Sequence, residues 1–104
     1  DREKLSEIFT GLCVRVADDL KRKGYASKTI GIKVRYADFQ AVTRDITLPI
    51  HIVDARAIRQ AAGECLKRVQ LTQRIRLLGV RASGLVPLDE LSQETLPVQG
   101  NLPF

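Results

Sequence analysis

The sequence predicts an α+β domain: an open antiparallel or mixed sheet with two helices on one face, followed by an extended C-terminal tail. Three observations predict it. Residues 28–39 alternate, with Ile30, Ile32, Val34 and Tyr36 on one side and Thr29, Gly31, Lys33 and Arg35 on the other. Successive strand side chains leave on opposite faces, so this strand is apolar on one face and cationic on the other. Amphipathic helical patterns lie on both sides of it in sequence and supply a cover for the apolar face. From Leu85 onward prolines and small polar residues replace both periodicities.

The first helix is read from Leu5, Ile8, Phe9, Leu12, Val16, Ala17 and Leu20, which recur at three- and four-residue steps. They describe about five turns. Gly24 stops the helix, and Lys21, Arg22 and Lys23 suit the negative end of its dipole. After the alternating strand, Val42, Ile46, Leu48 and Ile50 alternate with Thr43, Asp45 and Thr47. The link through 37–41 is short, so the two strands pair as an antiparallel hairpin. Asp54 caps a second helix running to about Val69, with Ile58, Ala61, Ala62, Cys65, Leu66 and Val69 as its apolar stripe. Gly63 in its middle marks close packing on the sheet. A third strand spans 74–83, with Leu78, Val80 and Ala82 toward the helices and Leu77, Gly79 and Arg81 toward the open side. The order is α-β-β-α-β with one sheet face bare.

Residues 1–84 form the domain and 85–104 the tail. At 104 residues the chain has room for one domain. With no Trp or Met and five aromatic residues, its core rests on Leu, Ile, Val and Ala. The formal net charge is +5, unevenly spread. All 17 Lys and Arg lie at or before Arg81, whereas Asp89, Glu90 and Glu94 are the only charges of the last 19 residues. A basic body with an acidic tail points to a polyanionic partner for the body. No apolar run approaches the ~20 residues of a membrane span, so no membrane partner is expected. The opening Asp1-Arg2-Glu3-Lys4 has no initiator Met and reads as the interior of a longer chain.

Catalysis finds little material. The single histidine, His51, sits between two isoleucines and reads as structural or surface. Asp18 and Asp19 fall on a helix's polar face, and no glycine-rich phosphate loop occurs. Cys13 and Cys65 fall on apolar helix faces and read as small buried hydrophobes. No cofactor or metal site is expected, and the chain alone should be inactive.

Binding finds more. Lys33, Arg35, Thr43 and Arg81 on the bare face, flanked by Arg44, Arg74 and Arg76, suit phosphates, and Gly79 leaves room for a backbone to approach. The face offers no aromatic platform of the kind single-strand readers use. Duplex DNA is therefore favoured over RNA, without base specificity. A ferredoxin-like RNA-binding module and a regulatory protein-interaction domain remain as alternatives.

Two groups of residues carry a family resemblance. The first comprises Gly31–Gln40, Thr43-Arg44 and Arg76-Leu77-Leu78-Gly79-Val80-Arg81. The second is the terminal Gln99-Gly100-Asn101-Leu102-Pro103-Phe104. Together they resemble the C-terminal little finger domain of the bacterial DNA polymerase IV family, the DinB-type Y-family translesion polymerases. The resemblance implies a βαββαβ fold, a sheet laid in the major groove of primer–template duplex DNA, and a parent nucleotidyltransferase whose carboxylates and magnesium lie outside this chain. It carries the sheet contacts to Lys33, Arg35, Thr43, Arg44, Arg76, Gly79 and Arg81. A peptide docking on the bacterial sliding clamp (β subunit) falls on Gln99, Leu102, Pro103 and Phe104. Such a protein works in the bacterial cytoplasm, at the nucleoid. The family's opening strand is missing here. With a ferredoxin-like strand order that strand is central, so the sheet is expected to close up, or to be filled by the tail or by self-association of the fragment.

Overall fold

The computed structural model describes residues 2–71 and 73–90. Helix α1 (Arg2–Lys23) leads into β1 (Tyr25–Tyr36), β2 (Ala41–Ile52), α2 (Ala55–Leu66) and β3 (Ile75–Pro87). The strands form one antiparallel sheet in the order β2-β1-β3. The expected architecture is therefore present: an open sheet with helices on one face.

The boundaries follow local chemistry. Gly24 ends α1 with φ at +79°, a backbone conformation that glycine reaches without the strain a Cβ adds. Asp54 caps α2 by accepting a hydrogen bond from the Ala57 N–H at 3.1 Å. Such a cap contributes about 1 kcal/mol over alanine.

The core is a layer between β1 and the helices. Ile30, Ile32 and Val34 of β1 meet Phe9, Cys13 and Ala17 of α1 and Ile58, Ala62 and Cys65 of α2, all buried. Burying each branched aliphatic side chain contributes about 1.5–3 kcal/mol. Arg59 ties the helices together. Its guanidinium lies 4.5 Å from the Phe9 ring centroid, and its Nε donates to Thr10 Oγ1 at 3.0 Å. Both cysteines are free and buried, and burial pushes their thiol pKa values up. They behave as the small hydrophobes expected.

Four details differ from the sequence reading. The buried stripe of α1 is Phe9, Cys13, Ala17 and Leu20, while Ile8 is 52% exposed. Ile8 instead lines an open cleft with Leu5 of its own helix, Leu71 and Ile75 at the start of β3. The sheet centre is not empty either. β1 is the middle strand, paired along its length with both neighbours, so no strand is missing between them. The third strand runs on past 84 to Pro87, pairing Leu85, Val86 and Pro87 with Ser27, Ala26 and Tyr25. Gly84 at φ +62° accommodates the bend, and the buried Ser27 hydroxyl donates to the Ser83 carbonyl at 2.7 Å. Pro87 ends the strand, where its missing N–H is harmless.

Gly63, lastly, does not pack on the sheet. A Cβ placed there meets only the Arg59 Nη1 at 3.4 Å, an ordinary contact. Gly63→Ala is therefore expected to raise stability by about 0.5–1 kcal/mol, through helix propensity alone. Urea denaturation checks this; a lower midpoint would mean that the Arg59 link between the helices had been displaced.

Candidate nucleic-acid interface

Strand register decides which side chains share the bare face. Thr29, Gly31, Lys33 and Arg35 of β1 stand opposite Thr47, Asp45, Thr43 and Ala41 of β2. On the other side they face Ser83, Arg81, Gly79 and Leu77 of β3. Cross-strand partners share a face, so Lys33, Arg35, Thr43, Gly79 and Arg81 lie together, as the alternation predicted. No helix among the described residues covers them. Thr29 and Thr47 are joined through their hydroxyls at 3.0 Å.

Arg44 is a correction. It pairs with Ile32, whose side chain is in the core, so it belongs to the helix-covered face. There it lines a cleft at the β2 edge with Tyr36, Val42, Arg68 and Val69. It is exposed, but it does not join the basic face.

Asp45 is the acid that sequence reading left out of that face. Arg81 Nη2 lies 3.8 Å from Asp45 Oδ2, reaching across β1 from one outer strand to the other. Gly31 makes the crossing possible. A Cβ there would stand 3.2 Å from Asp45 Cβ, 3.3 Å from the Arg44 carbonyl oxygen and 3.3 Å from Arg81 Nε. The glycine the structure needs for close approach is thus Gly31, whereas Gly79 has open space above it. Both partners are largely exposed, so the pair contributes little to folding. Its importance is to the field: it draws one of three central cations toward a carboxylate.

The other cations gather where the β1–β2 hairpin turns. Tyr36 donates its N–H to the Gln40 carbonyl at 2.8 Å, and Phe39 donates its N–H to Tyr36 at 2.9 Å. Asp38 accepts from the Gln40 N–H at 3.1 Å. This is a three-residue loop whose last position is left-handed, a place normally given to glycine. Here it is Phe39, at φ +70° and 61% exposed. Non-glycine residues held in this region store about 1–3 kcal/mol.

Two arginines hold that residue. Arg35 Nη1 donates to the Phe39 carbonyl at 3.2 Å. The Arg76 guanidinium lies 4.5 Å from the Phe39 ring centroid. Arg76 reaches it because the β1–β3 register shifts between Arg35 and Tyr36, leaving Arg76 unopposed as a bulge. Arg74 is brought alongside by its carbonyl, which accepts from the Ala37 N–H at 2.9 Å. Arg74, held there by its backbone, lines a cleft with Leu5, Ile8 and Ile75. Arg35 and Arg76 therefore converge at one end of the face, around the Phe39 ring, which sequence reading passed over. The signal was present: a glycine-free turn carrying an aromatic residue.

Among the described residues no three His, Cys, Asp or Glu side chains are grouped to hold a metal ion. No helix among them is long and apolar enough to cross a membrane. Gln99, Leu102, Pro103 and Phe104 lie outside the described residues.

Fold and face together define an α+β domain whose sheet is covered by helices on one side and, among the described residues, bare and mainly basic on the other. Residues 1–96 match the model of the impB/mucB/samB family C-terminal domain, and the chain belongs to that family. Its relatives include DNA polymerase IV of Clostridioides difficile, 35% identical over 86 residues, which cover 82% of this chain and 24% of that protein. DNA polymerase IV of Streptomyces coelicolor is 36% identical over 99 residues, covering 95% of this chain and 20% of that protein. DNA polymerase IV of Methanoculleus marisnigri is 37% identical over 82 residues, covering 75% and 23%. The chain thus spans about a fifth to a quarter of the length of these relatives.

Proposed function

We propose that this chain is the DNA-binding and clamp-docking region of a translesion DNA-directed DNA polymerase of the polymerase IV type. The observation that supports the DNA reading is the convergence of Lys33, Arg35 and Arg81 on one sheet face uncovered by the described helices, with Thr43 of β2 beside Lys33 and Arg76 at its end. These groups neutralise duplex phosphates, and such contacts hold a polymerase on DNA without asking for a sequence. Nucleotidyl transfer, with its magnesium, belongs to the rest of the parent. The peptide Gln99–Phe104 supplies a second attachment: Leu102 and Phe104 fill apolar pockets on a sliding clamp and Gln99 hydrogen-bonds at the rim. Self-association of the isolated fragment, through its outer strand edges, is a further proposal and gives concentration-dependent sedimentation.

The DNA reading is tested by titrating labelled blunt duplexes of unrelated sequence across a range of salt. Affinity should be indifferent to sequence and fall linearly in logarithmic terms, with a slope near −0.9 for each phosphate engaged. Asp45→Asn removes the carboxylate facing Arg81 and should tighten binding several-fold at low salt. Binding unaffected by salt, or weakened by Asp45→Asn, would overturn the phosphate-contact mechanism.

A further inference from the structure

We propose that Phe39, backed by Arg76, is a stacking platform for an unpaired nucleobase adjoining the duplex held on the basic face. The proposal rests on the duplex reading above and adds a second, single-stranded contact to it.

The hairpin tip is built at the expense of its own backbone. Glycine is the ordinary occupant of a left-handed position closing a three-residue loop. This chain puts the most exposed aromatic ring among the described residues there. An exposed ring held in a disfavoured conformation serves nothing in the core, where Phe9 and Tyr36 are buried. Strain of this kind concentrates where a side chain must be presented.

The surroundings select the occupant. Arg76 packs on the ring, and Arg35 fixes the carbonyl of the same residue. Guanidinium, ring and base form a continuous stack, with cation–π attraction on one side and base stacking on the other. Lys33, Arg35 and Arg76 make the neighbourhood cationic, which suits a strand carrying phosphates and opposes a basic or purely apolar partner. Inside a duplex each base face is covered by its neighbours, so only an unpaired base offers a free face to the ring. A duplex lying on Lys33, Arg35 and Arg81 leads its single-stranded continuation past this end of the sheet.

The test compares a blunt duplex with the same duplex extended by a short 5′ overhang that carries 2-aminopurine at its first unpaired position. The intact protein should bind the overhang DNA at least about five-fold more tightly than the blunt one, as one base–ring stack provides, and should quench the 2-aminopurine. Phe39→Gly, which relaxes the left-handed position and so should not lower the melting temperature, should abolish both effects while leaving blunt-duplex affinity within about two-fold. Phe39→Leu, which keeps the bulk and the strain but has no π face, should behave like Phe39→Gly. Phe39→Tyr should behave like the parent. Tight blunt-duplex binding with no preference for the overhang, or quenching that survives Phe39→Gly, overturns the platform and leaves the duplex reading standing. Failure to bind either DNA overturns the duplex reading, and the platform with it.

Discussion

A chain ending at Asn101 should lose at least about 100-fold in affinity for a bacterial sliding clamp relative to the intact chain, while its affinity for duplex DNA should be unchanged. The expectation follows from how short peptides bind. A few anchored side chains carry most of the interaction, each worth about 2 kcal/mol or more when it fills a desolvated pocket. Removing Leu102, Pro103 and Phe104 takes both apolar anchors at once and leaves Gln99, which alone cannot exclude water from the site. Two lost anchors correspond to a loss of at least about a hundred-fold. Duplex DNA serves as the internal control, because the deleted residues carry no base and the cationic side chains all lie at or before Arg81. Surface plasmon resonance against immobilised clamp makes the comparison. Equal binding by the two chains would remove the peptide from the proposal, and the clamp partner with it. Parallel loss of clamp and DNA binding would instead mean that the tail supports the fold.

How much of this was legible in the sequence depended on how local the cause was. The covered face of β1 was readable because alternation of Ile30, Ile32, Val34 and Tyr36 with Lys33 and Arg35 is a property of adjacent residues. Gly24 and Asp54 were readable for the same reason: a cap acts within one turn of its helix. What the sequence concealed were relations between strands. The pairing of Arg81 with Asp45 spans 36 positions and depends on both ladders being in one register over Gly31. The resemblance carried a sheet contact to Arg44, which flanks the basic face in sequence, yet neighbours on a strand point to opposite faces. The order β2-β1-β3 was equally hidden, since helix and strand periodicities do not state which edges meet. Ile8 satisfied the helical stripe and was still left half-exposed, because which part of a stripe is covered depends on the elements packed against it and not on the helix alone. Phe39 escaped notice because a ring in a turn has no periodicity, and only its backbone angle reveals that glycine's place has been taken.

The second large effect falls on DNA. Arg35→Ala combined with Arg81→Ala should weaken duplex binding by roughly ten- to sixty-fold at about 0.1 M salt, because each phosphate contact contributes up to (1/[salt])^0.9, or about eight-fold, at that concentration. The salt slope should shrink by about 1.8 for the same reason. Losing Arg81 has a further consequence: Asp45, no longer facing a cation 3.8 Å away, becomes a bare negative charge on the surface that meets phosphate. The double variant should therefore sit at the weak end of the range, and adding Asp45→Asn to it should recover part of the affinity. Folding is not at issue, since Arg81 and Asp45 are largely exposed and such pairs contribute about 0.2–1 kcal/mol at most. Circular dichroism of the variant confirms this independently. Arg35→Lys with Arg81→Lys separates charge from shape. Charge alone restores the slope, because counterion release counts cations, whereas the hydrogen bond from Arg35 to the Phe39 carbonyl is specific to the guanidinium. A lysine variant with full slope but lost overhang preference would place the two arginines in different roles, one on phosphate and one on the hairpin tip. Affinity unchanged in the alanine variant would remove the bare face from the function altogether and leave the protein-interaction reading of this domain.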